Sequence, residues 1–231
     1  MSAATTTAVV LLIAVPIAFN TLFALLGRRF DYPDILREPA PVVLGRFDDG
    51  GAGLRLLWLA FALTAVAFAP LAVMVGQTLG SRHSAVVAVA TATGVMAAVV
   101  QAVGLVRWPF AVPHLARIHR DPASTEAERA AATVVFDTLH RFAGVAVGEH
   151  LGYLLTGAWT VLTGVAALDS DVPAWLGPIG IVCGAVLVLG SFEFAGRFEP
   201  HGWKLAGAAV PVAYVVWSLW LVALGVALAA A

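Results

Sequence analysis

Hydrophobic residues in this chain gather into six runs. Each is at or beyond the length of about 17–25 residues that a helix needs to cross a bilayer, and proline, glycine and charged residues lie between them. The runs predict spans at about 9–27, 54–79, 85–107, 142–167, 174–195 and 204–229. Together they predict an all-α fold, an integral membrane six-helix bundle in which residues 1–231 form one transmembrane domain. The first run has no basic residue ahead of Arg28 to make a secretory leader, so it reads as a retained helix, kinked or locally loosened at Pro16, with Asn20 and Thr21 near its inner end.

The polar connections carry their own pattern. In 28–53 the residues Pro33, Pro39 and Pro41 forbid one continuous helix. Ile35, Leu36, Val42, Val43, Leu44 and Phe47 still supply a broken apolar face, which predicts a long, partly ordered loop that lies along the membrane, caps the bundle or serves as a docking loop. A very short turn, 80–84, joins the second and third spans. Between 109 and 132, Pro113, Asp121 and Pro122 interrupt structure, and the Thr125/Glu128 spacing is that of a capping box, which predicts an interfacial helix before the fourth span. Continued unbroken to Leu168, that helix would exceed about 60 Å, so part of it must protrude, bend or lie along the surface. Asp137 and Arg141, one turn apart, are expected to pair, as are Glu193 and Arg197. The chain turns again through Pro200, His201 and Gly202.

Small residues at helical spacing mark where spans approach closely. Gly144, Gly148 and Gly152 form one strip, Ala90, Gly94, Ala98 and Ala102 a second that is its natural partner, and Gly180 with Gly184 a further pair.

Composition agrees with the pattern. Hydrophobic residues make up 61% of the chain and charged residues 12%, with a mean hydropathy of +0.92. Soluble domains average roughly 45–50% and 25%, so a soluble class is excluded. No basic domain or arm points to nucleic acid. The one cysteine, Cys183, permits no intrachain disulfide and reads as a packing residue. With the amino terminus outside, 12 of the 13 Lys and Arg residues fall on the cytoplasmic side and only Arg82 outside. The positive-inside rule therefore predicts both termini out, in the cytoplasmic (inner) membrane of a bacterium, with lipid as the surrounding partner and a homo-oligomer or larger membrane complex open.

Candidate chemistry collects at the inner end: Gln101, Arg107, His140, Glu149, His150, Glu193, Arg197 and His201. Arg107 beside Trp108 reads first as an interfacial anchor. Glu149 and His150 either sit solvated at the headgroups or form a polar site inside the bundle, where a charge costs roughly 3 kcal/mol or more and calls for a partner. The expected pairing is Glu149 or Glu193 with Arg107 or Arg197. No zinc, haem, nucleophile or phosphate-loop spacing is present, so no metal, cofactor or catalytic residue is expected.

The segments YPDILREP, GLVRWPFAVPHLAR, GEHLGYLLTGAW and EPHGWKLAGAAVPVAY resemble an uncharacterised bacterial family of small polytopic membrane proteins carried as a domain of unknown function. The resemblance implies an integral membrane protein and transfers no site residue. On these grounds the leading expectation is a non-enzymatic membrane binding or accessory protein with an inward-facing polar site. The alternatives are a small proton-coupled carrier using Glu149 or Glu193, with helices broken at Pro16, Pro70 and Pro211, and a membrane-embedded redox or metal enzyme.

Overall fold

A computed structural model of the chain describes residues 2–79, 84–199 and 201–230. Among the described residues there is no strand, and six helical runs are long and apolar enough to cross a membrane: Ala3–Phe30, Gly51–Leu79, Ala85–Arg120, Glu126–Leu168, Leu176–Phe194 and Lys204–Ala230. The protein is thus an all-α multi-pass membrane protein. Ile17, Leu63, Met96, Val99, Val182, Val212 and Leu219 stand exposed on its flanks, as side chains that face acyl chains should. The turn that holds Arg82, and Pro200 in the last connection, lie outside the described residues.

The elements in order are α1 (Ala3–Phe30), a 3₁₀ turn (Asp34–Arg37), α2 (Ala40–Asp49), α3 (Gly51–Leu79), α4 (Ser84–Phe110), α5 (Val112–Arg120) and α6 (Glu126–Leu139). A π-helix (His140–Leu151) then continues into α7 (Gly152–Leu168), followed by α8 (Leu176–Gly190), two short 3₁₀ turns and α9 (Lys204–Ala230). α1, α3 and α9 each run on through their proline, at Pro16, Pro70 and Pro211, so the breaks expected there are not present.

The connections at one end make a second layer. The capping box expected at Thr125 forms: Glu128 N–H donates to the Thr125 hydroxyl at 3.2 Å, and Thr125 N–H to the Glu128 carboxylate at 2.7 Å. The first connection caps the bundle, because Ile35, Val43, Leu44 and Phe47 are buried beneath it against Leu115 and Ala116 of α5 and Phe136 of α6. Exposed ion pairs tie this layer together: Arg46 to Asp31 at 3.4 Å, Arg120 to Asp49, and Arg141 to Glu199 at 2.6 Å. Arg141 therefore reaches the fifth connection and not Asp137, its expected partner. Each such surface pair contributes about 0–1 kcal/mol. They show chiefly that the first, third and fifth connections share one end.

Two apolar cores result. The first, under the cap, contains Phe30, Phe47, Trp58, Phe61, Trp108 and Phe136; the second, farther along the spans, contains Leu12, Phe68, Trp159, Trp217 and Trp220. Trp58 and Trp108 stack at 4.5 Å and 11° in the first, and Phe68 meets Trp159 edge-on at 4.9 Å in the second. Trp108 has no exposed surface and Arg107 only 9%, so this pair is not the interfacial anchor the sequence suggested. The cap covers it.

Candidate functional site

Between the two cores the spans carry their polar side chains. Along α4 the order from one core to the other is Trp108, Arg107, Gly104, Gln101, Ala98. Along the fourth span it is Phe136, His140, Gly144, Gly148, Glu149, Gly152, Tyr153, Thr156, Trp159. The glycine strip does meet α4, but on different residues from the expected Ala90, Gly94, Ala98 and Ala102. A β-carbon on Gly144 would stand 2.6 Å from the Arg107 guanidinium, one on Gly104 2.7 Å from the Gly148 Cα, and one on Gly152 3.0 Å from Gln101 Cγ. Steps of four on one helix thus match steps of three on the other. Three α-helical residues advance about 4.5 Å, and four residues of a π-helix, wound wider by its i→i+5 bonds, rise by a comparable amount. Gly94, by contrast, makes room for the Trp159 ring.

That register places Arg107 inside the bundle. Its Nη1 donates to the Gly104 carbonyl, Nη2 donates to His140 Nδ1 at 3.4 Å, and Nε–H has no partner. No carboxylate lies within ion-pair distance of it among the described residues. Glu149 stands in its electrostatic field and in that of Glu193, and no hydrogen bond or ion pair holds the Glu149 carboxylate among the described residues. The expected Glu149–Arg107 pairing is therefore not a closed salt bridge; the two groups influence each other only through their fields.

Three tyrosines share that field, none of them among the expected site residues; Tyr214 reads from the sequence only as part of an outer aromatic group with Trp217 and Trp220. Tyr32 follows Asp31, whose left-handed backbone (φ 59°) turns the chain back over the bundle end, and its ring packs at 5.0 Å from Trp58 and 5.4 Å from Phe23. Burial, with the charge of Glu149 second, pushes the Tyr32 phenol well above its ordinary range, so it remains an O–H donor. Tyr153 and Tyr214 meet edge-on at 5.5 Å, and both feel Glu149. Gln101 closes the layer: its amide donates to the Thr156 hydroxyl at 3.0 Å, and one turn on Trp217 Nε1 donates to Thr160 at 2.9 Å. Asn20 of α1 bridges the Pro16 carbonyl at 2.7 Å and Ser218 of α9 at 2.9 Å.

The other expected residues lie apart from this layer or at its rim. His150 donates to the Ser191 carbonyl at 2.6 Å and packs against Phe192. The Glu193 carboxylate rests on Gly207 of α9 and feels Arg37. Because the chain leaves α-helix at Ser191 and is extended at Ala195, Glu193 and Arg197 do not form the expected pair; Arg197 lies exposed over Phe198 at 4.7 Å. His201 is exposed. No three His, Cys, Asp or Glu side chains converge among the described residues. An outward-facing groove of about 640 Å³ between α8 and α9, lined by Val182, Cys183, Val186, Ala209 and Val212, carries no charged or polar side chain and belongs to the lipid-facing surface.

Residues 7–225 match the family model described as Domain of unknown function (DUF4386). No curated protein and no solved structure matches the chain.

Proposed function

From the premise that this chain belongs to the DUF4386 family, whose description names no activity, we propose that it binds a small polar solute between Arg107 and Glu149 without transforming it. The observation that carries this reading is the state of Arg107: a guanidinium nine-tenths buried, with a free Nε–H and no carboxylate in ion-pair reach among the described residues. Leaving such a group unmatched costs several kcal/mol. Folding alone gives no reason for it, since an apolar side chain in a layer between two cores would avoid the cost. Tyr32, Glu149, Tyr153 and Tyr214 lie deep in the protein and yet each keeps accessible surface, as side chains lining an interior cleft do. The layer lies on the side of the ion-paired end, since Phe68, Trp159, Trp217 and Trp220 fill the bundle beyond Thr160. The positive-inside rule makes that end cytoplasmic, with both termini outside, in a bacterial inner membrane.

The test is thermal unfolding of the full chain in detergent against small carboxylates, phosphates, amines and amino acids. A bound solute at 100 times its Kd stabilises by about 2.7 kcal/mol. At least one solute is expected to raise Tm in the wild type and to leave Arg107→Gln unmoved; a panel without effect on the wild type contradicts the reading.

A second reading, the proton-coupled carrier, is favoured by the twelve-residue π-helix, which bears His140, Glu149 and His150 together. π-segments are rare and recur at functional sites. Proton-linked uptake into liposomes, abolished by Glu149→Gln, supports it; equal uptake by the variant counts against it.

A further inference from the structure

We infer that the groove between α8 and α9 is a lipid site: it seats one acyl chain of an anionic phospholipid whose headgroup is held at Lys204 and Arg197. The site lies on the outer surface of the bundle, and the inference stands apart from the Arg107 reading.

The groove opens on one side of a pair of helices that is closed on the other. On the inner side Gly180 takes the Trp220 ring, Gly190 takes Val210, and the Cys183 thiol donates to the Ala213 carbonyl at 3.4 Å. On the lipid side Ala208 and Ala209 stand where larger side chains would fill the gap, so a volume of about 640 Å³ is left open outward. That is the size of a small-ligand pocket, about 300–1,000 Å³. Its lining carries no charged or polar side chain, so the part of the occupant that it buries is a hydrocarbon.

Length says which hydrocarbon. Leu205 and Val216, its two limits on α9, are eleven residues apart, about 16 Å along the helix. This is about half of a hydrocarbon core of roughly 30 Å, the reach of an acyl chain in one leaflet. A partner's transmembrane helix would need a seam through both leaflets, whereas the groove stops partway along α9, which runs on to Ala230.

Charge says which lipid, and which way up. Lys204 is exposed, immediately precedes Leu205 at the groove's limit, and stands one turn before Ala208 on the same face. Trp203, its other neighbour, stacks on Phe198 at 5.2 Å, and Arg197 lies over that same ring at 4.7 Å. Two cations and an indole thus gather at this mouth, and among the described residues no carboxylate pairs with either cation. The carboxylates of the same connection lie elsewhere: Glu199 is bound by Arg141, and Glu193 rests on Gly207, about 160° around α9 from Ala209. The opposite limit, at Pro178, follows the connection 169–173, which carries Asp169 and Asp171 and no basic residue. A lipid phosphate is attracted at the first end and repelled at the second.

The experiment is native mass spectrometry of the full chain released from nanodiscs that contain equal amounts of phosphatidylglycerol and phosphatidylcholine with the same acyl chains. Wild-type protein is expected to retain one lipid per chain, phosphatidylglycerol over phosphatidylcholine by about fivefold or more, the effect of at least one cation at a membrane surface. Ala209→Leu fills the groove and is expected to abolish retention of both lipids, while Val66→Leu on the exposed flank of α3 leaves retention unchanged. Lys204→Gln combined with Arg197→Gln is expected to keep a lipid and bring the two headgroups to parity. The proposal is overturned by a wild type that retains both lipids equally or neither, or by Ala209→Leu retaining lipid as the wild type does. A two-chain species that Ala209→Leu splits also overturns it and gives the groove to a second copy of the chain. The comparison of the two lipids on wild-type protein needs no variant to fold.

Discussion

The fourth span uses glycine for opposite ends in its two halves. In α7, Gly157 and Gly164 lie two turns apart and meet Gly184 and Gly177 of α8. A β-carbon on Gly157 would stand 2.5 Å from the Gly184 carbonyl oxygen, and one on Gly164 2.8 Å from that of Gly177. Backbone touches backbone, and the contact excludes everything else. In the π-helix and at its junction with α7, Gly144 and Gly152 meet side chains, the Arg107 guanidinium and Gln101, and only Gly148 reaches the α4 backbone, at Gly104. The α7 half makes a seal; the π-helical half makes room for a buried charge. Small residues in a membrane helix therefore do not by themselves say whether an interface is apolar glue or the wall of a site. What they touch on the facing helix decides it.

The largest expected effect breaks the frame around that contrast. If a full apolar core lies beyond the polar layer, Trp108→Ala removes a completely buried indole stacked on Trp58 and lowers stability by about 3–5 kcal/mol. Chemical unfolding in detergent measures it, and a loss below about 1 kcal/mol would return Trp108 to the membrane interface. Next come the seals. Gly157→Ala or Gly184→Ala sets a methyl group against backbone that cannot swing away, at about 1–3 kcal/mol. Gly144→Ala meets the movable end of Arg107 and, farther off, the His140 ring, and is expected to cost less in stability while weakening solute binding more. Equal thermal and binding effects at the two positions would erase the distinction between the halves. Smaller still is Thr156→Val, which takes one acceptor from Gln101 and costs about 1 kcal/mol.

The smallest effect lies at high pH. Burial raises the Tyr32 phenol, so the folded state holds that proton more tightly than the unfolded chain does. The resulting stability is complete below about pH 10, the ordinary tyrosine value, and is lost as pH rises beyond it. Tyr32→Phe is expected to make the alkaline fall in Tm shallower, and an unchanged slope would place Tyr32 in solvent.

Much of the architecture was legible because lipid imposes it: apolar runs of fixed length, a capping box at Thr125 and Glu128, and small residues at close crossings all have local signatures. The site was legible only in part. Gln101, Arg107, His140 and Glu149 stood out because charge and amide are rare in such runs, and the fold brings them into one layer. Tyr32 gave no signal, since a tyrosine in a proline-rich connection looks like a loop residue until Phe23 and Trp58 of two different helices close on it. Arg107 and Trp108 read as an anchor because the end of an apolar run normally marks the headgroups; the cap of α2, α5 and α6 moves that boundary outward. The π-helix was hidden for a related reason. The apolar positions of 140–151 fit an α-helical stripe, and the wider winding follows from register with Gln101, Gly104 and Arg107, which no single segment encodes.

The central claim is that a polar layer, nearer the ion-paired end than the termini, lies between two apolar cores. It is tested most directly by placing a cysteine in that layer, Glu149→Cys in a Cys183→Ala background, and treating sealed membrane vesicles of each orientation with a membrane-impermeant thiol reagent. The account predicts labelling from the side that bears the Asp49–Arg120 and Arg141–Glu199 ion pairs and none from the other. Labelling from the side of the chain termini would contradict it, as would a thiol that no aqueous reagent reaches from either side.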